Sequence, residues 1–203
     1  MAGSFSNEQA VFLNVPFDKK YQPLFVALIA GLTGLGRTPR CVLEVPSSGR
    51  NRLERIYSLI SSCGASLHDL SRVGLYGQKR LPRFNMPFEL GLAYSLSVRE
   101  GHRIFLLEVR RHRIQVSLSD MNGHDPHIHG GTQKGILRCL LDCFGSPSAD
   151  PSLNQLTDLT RKTSRFCSVL LRDLGAEDPF SRHVFRQTVE AAAELSQAQG
   201  LIR

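Results

Sequence analysis

Short, nearly unbroken apolar runs alternate with segments of helical period, and this alternation restricts the fold more than anything else in the chain. Ala10-Val11-Phe12-Leu13-Asn14-Val15 is such a run, typical of a strand buried on both faces. Thr38–Val45, Ala65–Leu70 and Arg103–Val109 read as further strands. Between the first two, Leu24, Phe25, Leu28, Ile29 and Leu32 mark a helix from Tyr21 to Leu35. Leu53, Ile56, Tyr57 and Ile60 mark another from Arg50 to Ser62. Strand–helix–strand alternation predicts an α/β protein with a parallel sheet flanked by helices. A flavodoxin-like order with the first strand central is expected. Gln115–Ser119 reads as a short strand and Thr132–Phe144 as a helix. Helices at Leu153–Leu174 and Pro179–Ala198 complete the chain. The expected division is an α/β domain over 10–145 and a C-terminal helical extension over 151–203, packed on or beside it.

The stretch Arg83-Phe84-Asn85-Met86-Pro87-Phe88-Glu89-Leu90-Gly91-Leu92-Ala93 is the most informative segment. Asn85 is a good N-cap, and Pro87 is tolerated only in a first helical turn. Phe88, Leu90, Leu92, Ala93, Tyr94, Leu96 and Val98 make the helix apolar nearly all round, so a buried helix is expected. One carboxylate, Glu89, sits near its start. Either it answers the positive end of the helix dipole, or the helix start opens onto a pocket where Glu89 does chemistry.

In parallel sheets of this kind ligands bind at the carboxyl ends of the strands. That rule gathers Asn14, Phe17 and Asp18 after strand 1 and Glu44, Ser47 and Ser48 at the close of strand 2. It adds Asp69, Ser71 and Arg72 after strand 3, Glu89 on the next helix, and the loop Asp120–His129, with Asp125, after the last strand. No Gly-x-Gly-x-x-Gly or Walker A sequence follows strand 1, and there is no Gly-x-Ser-x-Gly elbow, which argues against dinucleotide redox, P-loop and α/β-hydrolase chemistry. What remains is carboxylates beside a basic loop. Glu89 suits attack on, or stabilisation of, a sugar carbon with oxocarbenium character. Asp69 suits ribose hydroxyls or a base edge. Arg72, Lys79, Arg80 and Arg83 suit phosphates, and Phe17 and Tyr76 a stacked base. Asn14, Phe17 and Asn85 would shape the pocket. The histidines His124, His127 and His129 with Asp125 are a weaker pattern for a metal, and no metal or cofactor is expected. The five scattered cysteines, with Cys139 and Cys143 lacking a matching second pair, do not make a zinc site.

The formal charge of +7 suits an anionic partner. The aromatics lie mostly inside apolar runs, so a nucleotide ranks above a polynucleotide. No run is long enough to span a bilayer, the N-terminus lacks signal-peptide features, and the thiols read as reduced. A cytoplasmic protein is expected.

Val11-Phe12-Leu13-Asn14-Val15-Pro16-Phe17-Asp18, His68-Asp69-Leu70-Ser71-Arg72 and Pro82–Gly91 resemble motifs of a widespread group of uncharacterised bacterial proteins, as does Ser119–His129. The resemblance covers roughly 10–145. That group in turn resembles Toll/interleukin-receptor-like (TIR-like) and nucleoside 2-deoxyribosyltransferase-like domains, by an aromatic loop after strand 1, an acid after strand 3 and Glu89-Leu90-Gly91-Leu92-Ala93 on the next helix. The resemblance implies a flavodoxin-like fold, Glu89 as catalytic carboxylate and Asp69 as a substrate-binding acid. It further implies an N-glycosidase or transferase acting on NAD or a related nucleotide, in antiphage defence, as a homo-oligomer with a possible regulatory partner protein. Asn85 and Pro87 stand where the transferases favour a pair such as Asp-Ser, and TIR loop motifs are not recognisable. Two other readings of the chain are a nucleotide-signal sensor and a TIR-like assembly module, each without turnover.

Overall fold

The computed structural model describes residues 7–45, 51–74, 82–114, 118, 121, 123–146 and 151–202. The strands are β1 (Asn7–Asn14), β2 (Thr38–Cys41), β3 (Cys63–Asp69), β4 (Arg103–Glu108) and β5 (His127–Ile128). The helices are α1 (Gln22–Gly34), α2 (Arg52–Ser61), α3 (Asn85–Glu100), α4 (Gln133–Phe144), α5 (Leu153–Asp173) and α6 (Arg182–Ala198). One five-stranded sheet runs in the order β2-β1-β3-β4-β5, the flavodoxin-like order. The ladders joining β1, β3, β4 and β5 are parallel. The fold class is the one the strand–helix alternation predicts.

The chain forms two compact units: 1–16 with 40–130, and 17–39 with 131–203. In the first, Ala10 and Phe12 of β1 pack with Ile56, Leu59 and Ile60 of α2 and Ala93 and Leu96 of α3. Further along the sheet, Leu70 and Leu106 pack with Met86 and Leu90 of α3 and with Ile114. α3 thus lies on the sheet through the stripe Met86, Glu89, Leu90, Ala93, Leu96, a three-and-four spacing. In the second unit α1 is buried along almost its whole length. Gly31 makes this possible, because a Cβ there would stand 2.5 Å from Leu140 of α4. Gly34 likewise lets Leu156 and Leu159 of α5 approach. Val26 of α1 shares a core with Cys167 and Leu171 of α5 and Val184 of α6. The two C-terminal helices therefore share their core with α1 rather than forming a separate layer.

Several local expectations are corrected. β2 stops at Cys41 instead of reaching Val45, because Glu44 folds back: its carboxylate accepts from the Cys41 N–H at 2.9 Å and from Arg40 Nε at 2.8 and 2.9 Å, fixing a 3-10 turn over Val42–Glu44. Asn85 is not the N-cap of α3. Phe84 holds that position without a side-chain cap bond, and Asn85 is exposed within the helix. Nor is α3 buried all round. Phe88, Tyr94 and Val98 are 53%, 42% and 71% exposed, so only the sheet-facing stripe is core. β5 arises at His127–Ile128, inside a stretch that reads as loop, and the expected strand at 115–119 falls largely outside the described residues.

Candidate functional site at the carboxyl edge of the sheet

Glu89 occupies a core position. It is 7% exposed and lies on the same stripe of α3 as Met86, Leu90 and Ala93. It is the fifth residue of the helix and α3 has no acidic residue in its first turn, so the helix dipole, which acts within that turn, does not account for it. Burial pushes its carboxyl up to about 7, and the Arg52 guanidinium on α2 only partly opposes this. A group that gains and loses a proton near neutrality is what acid–base work at a sugar requires.

The turn that carries Glu89 is tied to the sheet by a buried polar chain. Asn14, at the end of β1, donates through Nδ2 to the Met86 carbonyl at 2.8 Å and to His68 Nδ1 at 2.9 Å. His68 Nε2 meets Ser66 Oγ at 2.9 Å, Ser66 Oγ meets His102 Nε2 at 2.9 Å, and His102 Nδ1 meets the Cys63 carbonyl at 3.0 Å. The carbonyls at both ends accept only, so one assignment satisfies every neutral member. The Asn14 amide donates to Met86 and His68; His68 carries its proton on Nε2 and donates to Ser66. Ser66 donates to His102, which carries its proton on Nδ1. Burial drives the His68 imidazole down to about 3, and lowers His102 as well, so both are neutral. Both N–H groups of Asn14 are spent inside the protein. Its part is to hold α3, not to present a donor to a pocket.

Strand alternation puts Phe12, Asn14, Ser66 and His68 on the α3 face of the sheet and turns Asp69 to the other face. The structure therefore does not bring Asp69 and Glu89 onto one face. Asp69 instead gathers Ser71 and His129. Its Oδ1 accepts from the Ser71 N–H at 2.9 Å and its Oδ2 lies 3.2 Å from His129 Nε2. All three side chains are buried, and His129 is anchored by its N–H on the Glu108 carbonyl at 3.0 Å.

Two residues of this edge were missed by sequence reading. Glu108, ending β4, is 1% exposed. Burial raises its pKa and the nearby Asp69 charge raises it further, against Arg113, whose Nη1 lies 3.6 Å from its Oε2. Arg113 belongs to the charged run Arg110-Arg111-His112-Arg113, which by its composition alone reads as solvent-facing. Instead it is half-buried and its Nη1 donates to the Ser71 carbonyl. An acid in the last position of a buried strand is the signal that would have found Glu108.

The other expected site residues are placed as follows. Phe17 packs edge-on against Phe25 and against Phe180, and Asp18 Oδ1 accepts the N–H groups of Lys20 and Tyr21 at the entry to α1. Both have structural work in the second unit. Arg72 and Arg83 are half-buried, and the Arg83 N–H donates to the Val73 carbonyl at 3.0 Å. Asp125 is exposed and lines an open pocket of about 460 Å³ with Arg111, His112, Pro126 and Ile128. Ser47, Ser48, Tyr76, Lys79, Arg80 and Asp120 lie outside the described residues. The His-rich loop disperses its rings: His124 sits on Tyr94, His127 on Phe105 and His129 on Asp69. Among the described residues no group of three or more His, Cys, Asp or Glu side chains is placed to hold a metal ion. Nor is any helix among them long and apolar enough to cross a membrane. All five cysteines are free, and burial raises the Cys63 thiol to about 11, far from a reactive value.

Comparison of the chain with protein-family models, with curated proteins and with solved structures finds no match. Fold and site alone therefore define the class: an α/β protein with flavodoxin-like strand order, one protonatable acid buried on the helix after β3, and a second buried acidic group, Asp69 and Glu108, at the sheet's carboxyl edge.

Proposed function

We propose that this protein breaks or exchanges the N-glycosidic bond of a nucleotide, NAD or a related molecule, with Glu89 as the carboxyl group that acts at the sugar. The single observation that carries the reading is a carboxyl on the core stripe of α3, held near a neutral pKa by burial. An apolar residue would pack there at no electrostatic cost, so retaining an acid needs a reason beyond the fold. In its ionised form Glu89 offers a negative charge, or a nucleophile, to a ribosyl centre that turns positive as the base departs. In its protonated form it can return a proton. Asn14 serves by holding the Met86 carbonyl, one turn before Glu89. Asp69 with Ser71 and His129, on the other face of the sheet edge, is a candidate binding element for sugar hydroxyls, and Arg72 and Arg83 are candidate phosphate ligands. The motif resemblance supports the same chemistry, and with it a place in antiphage defence inside the cytoplasm.

The reading is tested by incubating the purified protein with NAD, NADP, ATP and deoxynucleosides and separating any freed base by chromatography. Release of one base identifies the substrate. Saturable nucleotide binding with no release from any of them would replace the enzyme with a sensor.

A further inference from the structure

We propose that the groove between α5 and α6 is a self-association surface, occupied by the same groove of a second copy of this chain. α5 has its core stripe at Leu156, Leu159, Thr160, Thr163, Cys167 and Leu171. Beside it runs a second stripe, Lys162, Arg165, Phe166 and Val169, with Phe166 and Val169 38% and 42% exposed. α6 shows the matching stripe Ala191, Glu194, Leu195 and Ala198 at the same three-and-four spacing. Together they line an open, mostly apolar groove of about 590 Å³.

The two walls differ in size and in charge, and this is what selects the occupant. Thr188 lies beside Cys167 and Leu171 shares a core with Val184, so the helices run antiparallel and Lys162–Phe166 stands level with 189–193. A two-fold axis parallel to the helices sets α5 of each copy over α6 of the other at the same height. The large Phe166 of one copy then lies over the turn of α6 that carries the small Ala191 of the other, a knob over a hole. In the same arrangement Lys162, which also pairs with Asp158 of its own helix at 2.8 Å, comes level with Glu194, and Arg165 stands one turn away. An acidic helix from another protein would suit the α5 wall but oppose Glu194, and a basic helix would do the reverse. A second copy satisfies both walls at once, and does so twice. The apolar contact supplies the affinity, while the rim charges set register and partner choice.

The test uses the full chain in sedimentation equilibrium, with circular dichroism to confirm folding of every variant. The wild type is expected to dimerise at micromolar concentration, and Phe166→Asp to be monomeric. Glu194→Lys, and separately the pair Lys162→Glu with Arg165→Glu, should each weaken self-association about tenfold or more. Mixed one to one, these two charge variants should form a heterodimer, because one then presents cations on both walls and the other anions. A wild type that stays monomeric throughout overturns the proposal. So does a dimer that survives Phe166→Asp, or charge variants that fail to pair with each other.

Discussion

Replacing Glu89 by Gln should stabilise the protein at alkaline pH while removing its proposed chemistry. The Glu89 carboxyl is held at about 7 against an ordinary value of 4.5. A folded-state pKa above the unfolded one means that the folded protein binds the proton more tightly. Its stabilising contribution is complete below 4.5 and is lost as pH rises through 7. The difference of two to three pK units corresponds to about 3 kcal/mol. Gln keeps the shape and stays neutral, so Glu89→Gln should be more stable than wild type by up to about 3 kcal/mol above about pH 8, and nearly equal to it below about pH 5. The comparison must be made between the two proteins, because His68 works in the opposite sense. Its imidazole falls from 6.5 to about 3 on folding. The stability it contributes is present above 6.5 and is lost as pH falls towards 3, by about 2 kcal/mol at pH 5. Between pH 5 and 6.5 the two effects largely cancel in the wild type, and subtracting the variant isolates Glu89. Urea unfolding followed by circular dichroism from about pH 5 to about pH 8.5 measures the difference directly. A difference that does not change with pH would mean that Glu89 is already ionised in the folded state, and the argument from burial would fail.

Three further outcomes follow from the packing. Ser66→Ala removes the hydroxyl between His68 and His102 and leaves a buried donor and a buried acceptor unpaired, for a loss of about 2–4 kcal/mol in urea unfolding. Unchanged stability would show that the chain is not formed. Gly64→Ala brings a Cβ to 2.7 Å from the Glu8 Cα, a backbone atom that cannot swing aside, so a loss of about 1–3 kcal/mol is expected in the same assay. Ser152→Ala abolishes the capping box with Gln155 at the start of α5 and should lower stability by about 1 kcal/mol, whereas Ser152→Asp should restore most of it.

The parallel sheet was legible because buried strands announce themselves: the runs at Val11 and Phe105 are nearly continuous and apolar, and even the polar Ser66 and His68 of β3 are buried. Helix limits were legible to within a residue or two for α1, α2, α4 and α5, where spacing and end signals agree. What could not be read was any feature that depends on tertiary partners. Residues Val42–Glu44 look like strand until Glu44 is seen bound to Arg40 and the Cys41 N–H. Phe88, Tyr94 and Val98 are apolar yet exposed, so composition overstated how much of α3 is covered. β5 is too short to leave a periodic signal. Within the site, Glu89 stood out as the one acid in the apolar stretch Met86–Val98. The link from Asn14 through His68 and Ser66 to His102 is invisible in sequence, since it joins three strands' ends through side chains 2 to 54 residues apart. Arg113 was hidden among its charged neighbours, and its contacts with the Ser71 carbonyl and the Glu108 carboxylate distinguish it.

The most direct test of the account is single-turnover base release from the nucleotide the screen identifies, comparing wild type, Glu89→Gln and Glu89→Asp, each shown to be folded and to bind that nucleotide. The account predicts release by the wild type, none by Glu89→Gln despite binding, and strongly slowed release by Glu89→Asp, whose carboxyl is set back by one methylene. Release by Glu89→Gln at the wild-type rate would contradict it, and would take the chemistry away from α3.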